Sequence, residues 1–120
     1  MEQELYIDGL SISKEVVETI VSLSANKVEG VVSVGESFIA SGVNKLLGSR
    51  QKDSSGVEVS VVDGKLNFAV RLTVFYGYSL CDLAKDVRLA IADAIKAQVG
   101  VEVGLIDVYI DHLIIPKDER

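Results

Sequence analysis

"VEVSVVDGKLNFAVRLTVFY", residues 57–76, sets two alternating apolar runs on either side of Asp63-Gly64, a dipeptide that supplies the two positive φ angles of a type I′ hairpin turn. A two-residue turn fixes which residues face each other. With Val62 opposite Lys65, Val61 meets Leu66, Val59 meets Phe68 and Val57 meets Val70, so each large apolar residue of one face meets another. Glu58, Ser60, Asn67 and Arg71 fall on the other face. Turn chemistry and alternation select the same register independently, as expected of a real element.

On either side of this hairpin the period changes from two to that of a helix. In "SKEVVETIVSLSANKVEG" Ser13 is the cap, Glu15 and Glu18 suit the positive end, and Gly30 is the stop. Its apolar stripe is expected along Val16, Val17, Ile20, Leu23 and Val28. "GVVSVG" follows as a short strand, and "ESFIASGVNKLLG" spaces Ile39, Val43, Leu46 and Leu47 as a helix. After the hairpin a helix runs from about Leu80 to Val99, with Ser79 as N-cap, Asp82 at the capping-box position and Gly100 at its end. Leu80, Leu83, Ala84, Val87, Ile91, Ala94 and Ile95 share its apolar face, whereas Leu89 points into the charged one. In the last strand, "LIDVYIDHLII", Ile106, Val108 and Ile110 alternate with Asp107, Tyr109 and Asp111.

Strand, crossover helix and strand make a βαβ unit, which sets the last strand parallel to the one before the helix. The expected fold is α+β: a two-layer domain over residues 1–120, with a small mixed sheet of three or four strands, a central β-hairpin and helices packed mainly on one face. At this length one core takes up about two-thirds of the unfolded chain's surface.

Composition narrows the function classes. Apolar residues make up 48% of the chain, yet none of their runs approaches the roughly 20 residues of a membrane span, and "MEQELYIDG" is acidic where a signal sequence is basic. A cytoplasmic protein with no direct membrane span is expected. Eighteen acids against 12 bases give a net charge of −6, which opposes nucleic-acid binding because that relies on neutralising phosphates. Positive charge gathers only in "NKLLGSRQK", where Lys45, Arg50 and Lys52 are candidates to meet an acidic partner, with a solvated loop as the plainer reading.

Site chemistry is sparse. Cys81, the sole cysteine, stands in the first turn of a helix, where orphan N–H groups favour a thiolate. It has no CxxC partner, and the sole histidine, His112, is at the far end of a strand, so Cys81 is expected to be a small buried hydrophobe and the chain not an enzyme. A thiol-dependent enzyme or redox protein centred on Cys81 is the alternative. Cys81 and His112 fall short of any zinc spacing, and Asp107 with Asp111 falls short of a calcium shell. His112 reads as a core-edge histidine in the inward register of Ile110, or as an exposed one where the strand frays. No GxGxxG or GxxxxGK[ST] spacing is present, and no cofactor is expected. A helix, hairpin and helix on a small sheet also resembles KH domains, but the chain lacks their GxxG loop.

What stands out instead is the sheet face away from the helices, where Val62, Ala69, Thr73, Phe75 and Tyr109 lie among Glu58, Arg71 and Asp107. Tyr, Phe and Arg are enriched at protein interfaces, so Phe75, Tyr109 and Arg71, with Leu89 on the helix layer, are the candidate interaction residues. The other reading is that the N-terminal segment or the middle helix covers this face.

"LSISKEVVETIVSLSANKVEGVVSVG", "VNKLLGS", "GVEVSVVDGKL", "VFYGYSLCDLAKDVRLAI" and "VGVEVGLIDVYIDHL" span nearly the whole chain. In order and spacing they resemble the alkaline shock protein family of Gram-positive bacteria, the envelope stress response proteins. The resemblance implies a small, cytoplasmic, non-enzymatic protein that takes part in cell-envelope homeostasis. It further implies a membrane-anchored protein partner that holds the chain at the inner face of the membrane. It brings no catalytic residues, and the chain lacks the long charged tails of some members. Self-association into a homo-oligomer is the expectation that joins this resemblance to the mixed sheet face.

Overall fold

The computed structural model describes residues 4–7, 9–35 and 56–115. The elements are β1 (Glu4–Ile7), β2 (Leu10–Ser13), α1 (Lys14–Asn26), β3 (Val31–Val34), β4 (Val57–Val62), β5 (Lys65–Phe75), α2 (Leu80–Gln98) and β6 (Val103–Ile114). The helix expected within residues 36–48, together with Lys45 and Arg50, lies outside the described residues.

The hairpin has the register its turn dictates: Val62 faces Lys65, Val61 Leu66, Val59 Phe68 and Val57 Val70. Asp63 and Gly64 supply φ angles of 51° and 76°, the pair of left-handed residues that a type I′ turn requires. Strand β5 is the axis of a four-stranded sheet. Along one edge it pairs antiparallel with β4 through its first half and with β3 through Leu72–Val74; along the other it pairs parallel with β6. The sheet is therefore mixed, and β5–α2–β6 is the βαβ unit. The core on the helix side contains Leu66, Phe68, Val70, Leu72 and Val74 from β5, Val17, Val21 and Ala25 from α1, and Leu83, Val87, Ile91 and Ile95 from α2.

Helices α1 and α2 are each capped from the residue before them. The Ser13 hydroxyl accepts from the Glu15 amide (3.1 Å) and the Ser79 hydroxyl from the Asp82 amide (3.4 Å), each satisfying an orphan donor of a first turn. Gly100 ends α2 at a φ of 89°, and its N–H returns to the Ile95 carbonyl.

Four expectations need correction. The buried line of α1 is Val17, Val21 and Ala25, while Val16 and Leu23 are exposed; a helix with apolar residues on two faces leaves its orientation to the partner surface, not to its own period. Leu80 is exposed for a different reason, standing at the first position of α2 before the helix meets the core. Third, Glu4–Ile7 and Leu10–Ser13 form a two-stranded antiparallel sheet where no strands were expected. Its two-residue connection has Gly9 at a φ of 81° and the sequence Asp8-Gly9, the same dipeptide that turns the main hairpin. Fourth, the β5–β6 register slips between Leu72/Ile110 and Thr73/His112, which moves His112 out of Ile110's inward set and opposite Thr73, so that the core-edge reading fails and the exposed one holds.

Gly64 has open space around it, with no heavy atom within 4 Å of a built Cβ, so a side chain there is resisted by the backbone alone. Gly64→Val is expected to lower the urea midpoint by roughly 1 M through left-handed strain on a β-branched residue. An unchanged midpoint would refute the role given to this turn.

Candidate interaction surface

Bridge partners in a sheet share a face, so the register of β4, β5 and β6 builds the outer surface row by row. One row sets Glu58 beside Ala69 and Asp107; the next sets Arg71 beside Tyr109; the third sets Ser33 beside Thr73 and His112. Phe75 and Ile114 follow. The middle row is the most tightly organised. The Arg71 guanidinium lies 4.6 Å from the centroid of the Tyr109 ring. Its Nε donates to Asp111 Oδ2 at 2.8 Å and its Nη2 to Oδ1 at 3.3 Å, a two-pronged ion pair.

The Asp111 hydrogen bond and its charge hold the Arg71 pKa above its ordinary value, and Tyr109 and Glu58 add to this at longer range. Both partners are solvent-exposed, so this pair orients side chains more than it stabilises the fold. Sequence reasoning placed Arg71 and Tyr109 on this face but weighed Asp111 as half of an inadequate calcium shell; the bulge beside Asp111 is what long-range pairing adds.

The row is not uniformly open. Ser33 and Thr73 are buried and Phe75 is half-buried, whereas Tyr109 is 43% exposed. On the other layer Leu89 is 62% exposed on the side of α2 that turns away from Leu83, Val87, Ile91 and Ile95. Tyr109 and Leu89 therefore stand on opposite layers of the fold. Exposed Leu105, Leu113 and Ile115 along and just beyond β6 were not singled out from sequence, since alternation alone does not say which strand ends a sheet.

Cys81 corrects another expectation: it is exposed, not buried filler. As the second residue of α2 it lies one turn before the core-facing line takes hold. Among the described residues no group of three or more His, Cys, Asp or Glu side chains is arranged to hold a metal ion, and no helix is long and apolar enough to cross a membrane.

Two short motifs far apart in sequence meet next to this helix. The Tyr78 hydroxyl donates to Glu29 Oε2 at 3.3 Å, and a Cβ at Gly30 would stand 3.1 Å from the Tyr78 ring and 2.8 Å from Leu83 Cδ1. Desolvation first, then the Glu29 charge and hydrogen bond, push the Tyr78 phenol above its ordinary pKa. "VEGV" and "YGY" are thus two halves of one contact.

An α+β domain with a mixed sheet, a central hairpin and these paired motifs defines a class. Residues 2–115 match the family model of alkaline shock protein 23, described by its cell envelope-related function, and the chain belongs to that family. It is 26% identical over 108 residues to the uncharacterized protein Spy1614 of Streptococcus pyogenes serotype M6, covering 88% of each chain. It is 25% identical over 108 residues to the uncharacterized protein YqhY of Bacillus subtilis, covering 90% of this chain and 78% of YqhY. Among solved structures, the copper form of the MamM C-terminal domain is 12% identical with a TM-score of 0.49, covering 89% of this chain and 92% of that one. A likeness that loose says nothing of this chain's ligands or assembly.

The exposed Cys81 thiol, with the sole histidine on β6 and not on α2, is expected to react with iodoacetamide at neutral pH at the rate of a free cysteine. Labelling of Cys81 roughly tenfold faster than that would bring back the thiol-enzyme reading.

Proposed function

We propose that this chain is a non-enzymatic scaffold of the cell envelope that works by self-association and by binding a membrane-anchored protein partner from the cytoplasmic side. The observation that carries the reading is the pair of exposed contact points on opposite layers, Tyr109 with its Arg71 clamp on the sheet and Leu89 on α2. Membership of an envelope-related family supports the setting. The net charge of −6 favours a protein partner over nucleic acid.

Two contact points on opposite layers suit a heterologous contact, in which one surface of a copy meets a different surface of the next and builds rings or filaments. Phe75 borders the Tyr109 patch, and Lys45 and Arg50 are the positive charges offered to an acidic partner. Arg71 serves this surface by holding the Tyr109 ring in place.

Sedimentation across a concentration series tests the reading. Wild type is expected to associate, and Leu89→Lys or Tyr109→Asp to weaken association by about one to two orders of magnitude, as loss of a buried leucine or aromatic worth roughly 1.5–3 kcal/mol implies. Both variants should fold, since neither residue belongs to the core. A wild type that stays monomeric at high micromolar concentration removes self-association. Loss in Tyr109→Asp alone would confine the contact to the sheet.

A further inference from the structure

Among the described residues strand β6 is an edge. Its only strand partner among them is β5, and it runs for 12 residues without a proline or lysine, two of the usual devices that blunt an exposed edge. Its two register slips, at Leu66/Phe68 and at Leu72/Thr73, leave a regular run from Ile106 to Ile110 between them. At the first slip the Leu105 amide is taken by Asn67 Oδ1 at 2.9 Å. At the second, the neighbouring Asp111 carboxylate is taken by Arg71.

The direction of the free hydrogen-bonding groups follows from β5. The Arg71 and Phe75 amides donate to Gly56 and Gly30, toward β4 and β3, while those of Leu66 and Tyr76 donate to Glu102 and Ile114, toward β6. Even-numbered residues of β5 therefore serve β6. In a parallel pair the partners of those residues, Ile106, Val108 and Ile110, turn their own N–H and C=O groups the other way, to the open edge.

The side chains at the same three positions are also unfinished. They share a face with Phe68, Val70 and Leu72, which are buried to 3%, 0% and 1% exposure, yet they are themselves only half-buried. Apolar side chains on the core face that stay half-open, next to backbone groups with no partner among the described residues, suit one more strand with the same apolar alternation.

We propose that this strand is β6 of a second copy, paired antiparallel about a twofold axis at Val108. The proposal rests on the self-association read above and adds to its heterologous contact a separate, isologous one along the sheet edge, in which Leu89 takes no part. Charge selects the register. Centring on residue 107 sets Asp107 against Asp107 of the second copy, and centring on 109 sets Asp107 against Asp111; centring on Val108 sets Asp107 against Tyr109, with no carboxylates opposed. The same register pairs Ile106 with Ile110 and Val108 with itself, so all three open-edge residues meet open-edge residues and form about six backbone hydrogen bonds. Directly opposite residues share a face, so the two core faces lie on the same side. Two four-stranded sheets become one, with the helices of both copies on one face.

Disulfide trapping in a Cys81→Ser background reads the register directly. Asp107 and Tyr109 of the partner copy form a non-hydrogen-bonded pair with Cα atoms about 4.5 Å apart, within bridging range, whereas like positions sit diagonally at about 7–8 Å, beyond it. An equimolar mixture of Asp107→Cys and Tyr109→Cys chains is expected to cross-link as heterodimers at least tenfold faster than either chain alone. In parallel, sedimentation should show Tyr109→Asp weakening association and a further Asp107→Lys restoring it, because the opposed pair becomes lysine and carboxylate. Association of the wild type without preferential mixed cross-linking would overturn the β6 pairing and leave the scaffold reading standing. Self-cross-linking of Tyr109→Cys alone would overturn the Val108 axis in favour of one at 109. A monomeric wild type would overturn both readings.

Discussion

Every strand of the four-stranded sheet is hydrogen-bonded to β5, so the two-residue turn that sets the register of this strand sets the whole inner surface. Asp63 and Gly64 in left-handed conformation put Leu66, Phe68, Val70, Leu72 and Val74 on one side, and a slip of one residue would turn all five toward solvent. The helices need that surface. Most stability of short amphipathic helices comes from packing, not from their own propensity, and α1 and α2 cover β5 and its neighbours with seven buried aliphatic side chains.

What sequence could reveal followed from how local the deciding force was. The hairpin register, both serine caps and the core line of α2 depend on residues within a few positions of one another, and each was legible. The orientation of α1 was not, because Val16, Val17, Ile20, Val21 and Leu23 surround much of the helix and only the sheet decides that Val17 and Val21 go inward. The β1–β2 pair was legible in principle through Asp8-Gly9, but four-residue strands give alternation little room to declare itself. Of the candidate surface, Arg71, Tyr109 and Leu89 were visible as exceptions to their patterns. The Asp111 partner of Arg71 and the turned-out His112 were not, since both follow from register slips in a parallel pair whose strands are joined by a whole helix.

The family resemblance rested on short motifs that look weak in isolation, and the structure gives two of them a common cause. Helix α1 ends at Asn26 with Lys27 as its C-cap, short of the expected stop at Gly30; Gly30 lies between the helix and β3 at a φ of 102° and stands where any Cβ would press on Leu83 and the Tyr78 ring. Tyr78 in turn leads into the Ser79 cap of α2 and reaches back to Glu29. The end of one helix and the start of the other are thus registered against each other by one glycine, one tyrosine and one carboxylate. This is a packing role, and it accounts for these residues without assigning them any chemistry.

An acidic chain that meets its own copy faces long-range repulsion, and the kind of interface that can overcome it is limited. Six net negative charges per chain act over a Debye length of about 8 Å at physiological ionic strength, so the cost is concentrated where carboxylates come close. An interface built on surface ion pairs would need bases that this chain has in deficit, since it has 12 against 18 acids. Backbone pairing along β6 needs none, because the strand's own N–H and C=O groups supply the attraction and Ile106, Val108 and Ile110 supply the apolar contact. Arg71 then has two jobs on one surface: it neutralises Asp111, the carboxylate just past the end of the regular run, and it holds the Tyr109 ring on the outer face, where the proposed register brings it opposite Asp107. Removing the guanidinium would leave the fold intact but would expose both sides of the edge to uncompensated negative charge, which ties the surface cluster and the strand edge into one electrostatic unit.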